Sequence, residues 1–449
     1  MTSISAGLLV TRVSGDSDLG AALAGQLLSA GRAMRFASYV IGGLALVPGL
    51  PIISFLVLAI TLWVLGGRVQ APAAEIEEVE EVEISPDSPE ALIGEMRVEP
   101  LELRLAYDAL DLVDTDNGGD LLDRVKALRR QIALELGIVV PLIRTRDDVS
   151  LPAGTYTIEL EGAEVARGVA PRDQVMALPA SETDDLRSLG GTQTTEPVFG
   201  LAAWWIPDAS SSHATGIGAT VVDRSSVIVT HLADVVRRNA DRLLTRQDVQ
   251  QLVDGLRYDQ PILAKEVDSD GVALGVLHRV LQSLLQEGVS IRQLGRVVEA
   301  LSSVSGQPLD DMLAAARVAL GPSIVHSVDA QARFSAVTIE PMAEVALHEA
   351  LREVDHERRL VLDPEVGASL IDEVRQVMAG HLASDPTLIV VCGPGLRRPL
   401  QRFLVAAHVD VPVLAYAEIP STVDITGIAV IGAGLQPGAP LAVGGVADT

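Results

Sequence analysis

The chain has 449 residues, room at roughly 150 residues per domain for about three compact units with real cores. Acidic residues outnumber basic ones by 60 to 34, a formal charge of −26, and such a surface repels phosphate backbones, which argues against nucleic-acid partners. Cys392 is the only cysteine, which excludes an intrachain disulfide and a cysteine-rich zinc site and fits a reducing compartment.

No charged start leads into a short apolar stretch, so no signal peptide is expected. The strongly apolar region is 36–67, split by the turn chemistry of Pro48-Gly49-Leu50-Pro51. It is long for one span of about 20 residues and short for two. Arg32 and Arg35 precede it and Arg68 follows. If positive charge stays on the cytoplasmic side, both flanks share that side, which favours a transmembrane helical hairpin over one kinked helix. A buried helical pair is the alternative, but it would show a polar face. The acidic run 75–83 and the Pro/Ser-rich stretch to Pro89 read as a solvated linker.

Beyond the linker the pattern is globular. Residues 101–113 alternate like a strand. Leu121, Leu122, Val125, Leu128, Ile132 and Leu136 recur at helical spacing, and Gly137 suits the stop. Strand-like runs follow at 138–146, 155–161 and 174–178, and 192–207 reads as irregular, with Trp204 and Trp205. From Asp223 to about Val325 the chain reads as helical, with capping-box patterns at Thr245/Asp248 and Ser290/Gln293. The last region alternates: a strand at 337–339, helices at 342–354 and 364–382, a strand at 388–391, a helix at 396–407, strands at 412–416 and 428–431. That order implies an α/β unit, and the fold class expected overall is α/β, in several subdomains, with the N-terminal hairpin.

Few residues carry chemistry. Asp114-Thr115-Asp116-Asn117-Gly118-Gly119-Asp120 looks like a calcium loop, but the fifth and twelfth positions hold Gly118 and Val125. A tight turn with Asp120 capping the next helix is the better reading. Cys392-Gly393-Pro394-Gly395 lies between a strand and a helix, where phosphate is often held. The P-loop Lys-Ser/Thr is absent and Pro394 removes an amide donor, so a plain turn is expected. The eight histidines form no HExxH and there is no GxSxG elbow. No cofactor, metal or catalytic residue is expected.

Several blocks carry a family resemblance. They are the run 118–141, opening Gly118-Gly119-Asp120; Glu196-Pro197-Val198-Phe199-Gly200-Leu201; Thr220-Val221-Val222-Asp223; Thr230-His231-Leu232; the run 280–292, ending Gly288-Val289-Ser290-Ile291-Arg292; and the run 413–420, ending Ala417-Glu418-Ile419-Pro420. In this order they resemble the type III secretion export-gate (FHIPEP) family, flagellar FlhA type, over nearly the whole chain. The resemblance implies the end of a membrane region at 1–35, the hairpin at 36–67 and the linker at 68–98. It then implies a four-part cytoplasmic domain: a first part at 99–193 and 243–262, an inserted second part at 194–242, a helical third at 263–334 and an α/β fourth at 335–449. It also implies a bacterial inner-membrane, multi-pass protein whose domain faces the cytoplasm and forms a nonameric homo-oligomeric ring.

Its implied partners are export chaperone–cargo complexes and other export-apparatus proteins. The implied docking dimple falls near Ile206, Gly216, Ala219 and Val249. Relatives commonly carry a bulky aromatic at the place of Ala219, and core packing is the plain alternative for Ile206 and Val249. The family's earlier membrane helices have no counterpart here, so a truncated, transport-incompetent ring component or one half of a split gate is the second reading. A nucleotide hydrolase using the Gly393–Gly395 turn is a distant third.

Overall fold

A computed structural model describes residues 38–43, 52–68, 98–114, 118–180, 186–268, 271–354, 357–381 and 386–435. The chain divides into two units, Met1–Arg97 and Val98–Thr449.

In the first unit, residues 38–43 are helical and α1 spans Ile52–Arg68. Ile53, Val57, Ile60 and Trp63 are all exposed on it, so it is apolar without a polar face. Its 17 residues rise about 25 Å at 1.5 Å each, short of the roughly 30 Å hydrocarbon core. Among the described residues no helix is long and apolar enough to cross a membrane. The expected turn at 48–51, Arg32, Arg35 and the acidic run 75–83 lie outside the described residues.

The second unit is a mixed α/β structure with three four-stranded sheets and a helical layer. The first sheet has the order β2-β1-β3-β4, from β1 (Leu101–Leu105), β2 (Arg144–Asp147), β3 (Thr155–Leu160) and β4 (Ala163–Val169). The expected strand at 101–113 stops at Leu105, and Tyr107–Leu112 is 3₁₀-helical, pinned where the Gly154 amide donates to Asp108 at 2.7 Å. Helix α2 (Leu121–Leu136) buries the predicted apolar face except Leu122 and ends at Gly137 with φ +83°, the left-handed geometry that favours glycine. Asp120 precedes α2 but makes no side-chain cap, and binds Arg124 at 2.6 Å instead.

The second sheet has the order β6-β7-β5-β8: β5 (Gln174–Leu178), β6 (Thr192–Thr195), β7 (Ala202–Pro207) and β8 (Thr220–Val222). The stretch expected to be irregular is thus a hairpin, β6 with β7. It draws on both sides of position 194. Short helix α3 (Ser211–Gly216) joins β7 to β8.

The helical layer comprises α4 (Arg224–Arg238), α5 (Ala240–Leu243), α6 (Arg246–Asp259), α7 (Pro261–Asp268), α8 (Leu274–Gln286), α9 (Leu294–Ser303) and α10 (Leu309–Val328). Thr245 and Asp248 form the predicted capping box at the start of α6. Ser290 forms none. Its hydroxyl donates to the Glu135 carbonyl at 2.7 Å, and the Ile291 amide donates to the Leu136 carbonyl at 2.8 Å. A Cβ on Gly137 would stand 2.6 Å from the Arg292 nitrogen, so two blocks of the family pattern meet here, backbone to backbone.

The third sheet is all parallel, order β13-β12-β9-β14, from β9 (Arg333–Ile339), β12 (Thr387–Cys392), β13 (Val413–Ala415) and β14 (Asp424–Ile431). Helices α11 (Pro341–Glu349), α12 (Pro364–Gly380) and α13 (Pro394–Ala406) connect its strands. The helix expected over 342–354 ends at Glu349. Leu351–Val354 and Glu357–Leu360 pair instead as the hairpin β10–β11. Along β12 side chains alternate faces: Ile389 and Val391 join the main core under the helical layer, while Leu388, Val390 and Cys392 join a second core with α11, α12 and α13.

Candidate docking site

The second sheet is a partition. On β7, Ala203 and Trp205 face the main core, and on β5 Met176 does so too. The alternate residues, Ile206 on β7 and Val175 and Ala177 on β5, face the other way. There they form a small cluster capped by Leu186, Ala214 and Ala219. Ile206 is directly opposite Val175 in the ladder, and the Ala219 amide donates to the Ala214 carbonyl at 3.0 Å.

The four site residues predicted from sequence therefore separate. Ile206 (0 % exposed) and Ala219 (4 %) are brought together in this small cluster. Val249 (0 %) lies on α6 in the main core. Gly216 ends α3 on the surface, and a Cβ there would meet nothing within 4 Å. Three of the four are packed side chains, and Gly216 is the one that a partner can touch without rearrangement.

Sequence reasoning did not single out the surface apolar groups of this sheet. The β6–β7 turn exposes Phe199 (75 %) and Leu201. That turn is held firmly: the Glu196 carboxylate accepts from the Val198 amide at 3.1 Å and the Phe199 amide at 2.6 Å, and Gly200 takes φ +67°. Ile217, next to Gly216, is also exposed. The signal was present in the Glu196–Leu201 block, where a carboxylate two and three residues before free amides sets up such a turn.

Behind the sheet, α4 carries buried His231, whose Nδ1 lies 2.9 Å from the Tyr156 hydroxyl on β3. Burial lowers the His231 pKa, only partly opposed by the charges of Asp234 and Glu196. Burial, then Glu196, pushes the Tyr156 phenol up. At the start of α4, Asp223 accepts from the Ser226 amide at 2.8 Å, and Arg124 of α2 reaches Asp223 at 3.3 Å. The blocks around Gly118 and Thr220 thus join α2 to α4.

The Gly393 turn is closed to a phosphate by its own neighbour. The Gly393 amide at the head of α13 donates to Glu344 of α11 at 2.5 Å, and Pro394 has no amide proton. A carboxylate already occupies the position where an anion would meet the helix N-terminus. Among the described residues, no cluster of three or more His, Cys, Asp or Glu stands ready for a metal.

The order of a first sheet, a second sheet, a helical layer and a parallel α/β unit is a fold shared with solved structures. It matches the Chlamydia pneumoniae CdsV protein with a TM-score of 0.63 at 22% identity, over 75% of this chain and 98% of that one. It also matches nonameric SctV-C of EPEC, with a TM-score of 0.59 at 19% identity, over 74% of this chain and 98% of that one. The chain belongs to the FHIPEP family, whose profile matches residues 1–424. Among curated relatives, the flagellar biosynthesis protein FlhA of Bacillus subtilis is 32% identical over 96% of this chain. The chain spans 65% of that relative's length.

Proposed function

We propose that this protein is a component of the flagellar type III export gate, whose second unit is a cytoplasmic ring domain that receives chaperone–cargo complexes for secretion. The observation that carries the reading is the FHIPEP family match across residues 1–424, supported by the shared fold with a domain solved as a nonamer. In this reading the chain sits in the bacterial inner membrane, assembles with copies of itself and with other export-apparatus proteins, and catalyses no reaction.

The segment 36–67 anchors it as a hairpin. Support comes from α1, whose apolar side chains point outward on every side and need a lipid or protein cover. The four-part division of the domain at 99–193 with 243–262, 194–242, 263–334 and 335–449 belongs to the same reading.

Docking is proposed at the outer face of the second sheet. Buried anchors supply most binding energy and rim charges mainly steer. Phe199, Leu201 and Ile217 supply exposed apolar surface on this region, and Gly216 leaves the end of α3 bare. Ile206 and Ala219 form the packed floor beneath and shape the face without touching the partner. The test is calorimetric titration of the full chain, in mild detergent, with a purified chaperone–cargo complex from the same genome. Binding is expected, and Gly216→Arg weakens it at least tenfold while leaving the melting temperature unchanged, because a Cβ at this exposed position meets nothing within 4 Å. No binding by the unmodified chain, or full binding by Gly216→Arg and Phe199→Asp alike, removes this face from the function.

A further inference from the structure

Where the helical layer meets the α/β unit, four arginines and four carboxylates form one connected cluster. Its centre is Glu418, on the turn that follows β13. Arg317 of α10 grips it with two parallel bonds, Nε to Oε1 and Nη2 to Oε2, each 2.8 Å. The third arm of Arg317, Nη1, donates to Glu287 at the end of α8 at 2.8 Å. Arg397 of α13 donates to the other oxygen of Glu287 at 2.9 Å. These four side chains are at most 13% exposed. Further out, Arg398 reaches Asp310 at 2.8 Å and Arg402 holds Glu357 at 2.6 and 3.0 Å, where exposure rises to about a third.

The backbone of Glu418 is fitted to the same helix. A Cβ on Gly321 would collide with the Glu418 carbonyl oxygen, so only glycine lets the turn rest on α10. Gly321 and Arg317 are four residues apart, hence on one face of α10. One helical face thus receives both the backbone and the carboxylate of one residue. Beside this contact lies a cleft of about 640 Å³. Val289, Ile324 and Val328 line it from the helical layer, and Val405, Val413 and Leu414 line it from the α/β unit.

We propose that Glu418 is a latch: seated on Arg317 and Gly321, it locks the α/β unit to the helical layer as one rigid body, and its release opens the cleft beside it. Release exchanges the buried bidentate pair for weaker single contacts, Glu418 with Arg397 of its own unit at 3.5 Å and Arg317 with Glu287, so the closed state is the favoured one. Burial alone raises the Glu287 pKa, yet Arg397, Arg317 and Arg398 together hold it below the usual carboxylate range, consistent with a closed state.

Native-state hydrogen exchange on the full chain in mild detergent tests this. In the unmodified protein, peptides from 309–328 and 387–392 must share one largest opening as denaturant rises, and separate openings overturn the proposal. In Glu418→Gln, exchange at 286–289, 324–328 and 413–415 rises at least tenfold while 277–285 and 387–391 stay unchanged. Gly321→Ala, which keeps every charge, gives the same pattern. Uniform acceleration across the unit, or none at the cleft, overturns it. If Glu418→Gln does not fold, the exchange of the unmodified chain decides.

Discussion

Two regions of the second unit are built on opposite principles. The outer face of the second sheet rests on six buried residues, three of them alanines. The junction of α8, α10, α13 and the 416–418 turn is stitched by buried ion pairs, the one between Arg317 and Glu418 bidentate, over a continuous apolar core. Local stability follows buried apolar contact, so the first region yields at low cost and the second opens only with its neighbours. Under the proposed function the difference separates two roles within one fold: the face over the small cluster receives the partner, and the locked junction is the frame that keeps its shape while it does so.

Breaking the locked junction has the largest expected effect. Arg317→Ala leaves Glu418 buried without its bidentate partner and costs about 3–5 kcal/mol, measured by chemical denaturation of the full chain in detergent. A loss below about 1 kcal/mol makes the pair no stronger than a surface bridge and removes the contrast. Next comes Ala219→Phe, which adds the bulky aromatic that the family resemblance implies at this place. Ala219 is packed at 4% exposure, so the added ring overfills the small cluster and costs about 1–3 kcal/mol. An unchanged melting temperature together with altered chaperone affinity shows instead that the cluster opens as a pocket.

His231 sharpens the comparison through pH. Its folded-state pKa lies below the ordinary 6.5, so the unfolded chain binds more protons near that pH. Its contribution to stability is complete above about pH 6.5 and is lost as pH falls towards the folded value. His231→Gln flattens the melting temperature over this window, and an unaltered pH slope contradicts the assignment. The smallest effect belongs to the wet end of the ion cluster. Arg402 is 34% exposed, and its loss in Arg402→Ala costs at most about 1 kcal/mol by the same denaturation assay.

The sequence shows some of this and hides the rest for physical reasons. Helix α2, strand β5 and the Thr245 capping box follow from local patterns, and all three form within one run of chain. The β6–β7 hairpin escapes because both faces of β7 are buried around Trp204, Trp205 and Ile206, so no polar alternation marks it. At 351–354, helix-forming Leu, Arg and Glu follow α11 directly, and only pairing with 357–360 makes them a strand. The ion cluster joins residues as far apart as Glu287 and Arg398, which no local pattern encodes. Of the four candidate site residues, Ile206 and Ala219 meet because they cover one sheet face, and Val249 falls outside that cluster because α6 packs into the main core.

The most direct test follows hydrogen exchange of the full chain, in mild detergent, with and without a bound chaperone–cargo complex. Partner binding is predicted to slow exchange at 196–201 and 211–219 and to leave 286–289, 397–402 and 413–418 unchanged. Protection confined to the junction, with the second sheet unaffected, would contradict the assignment of the docking face.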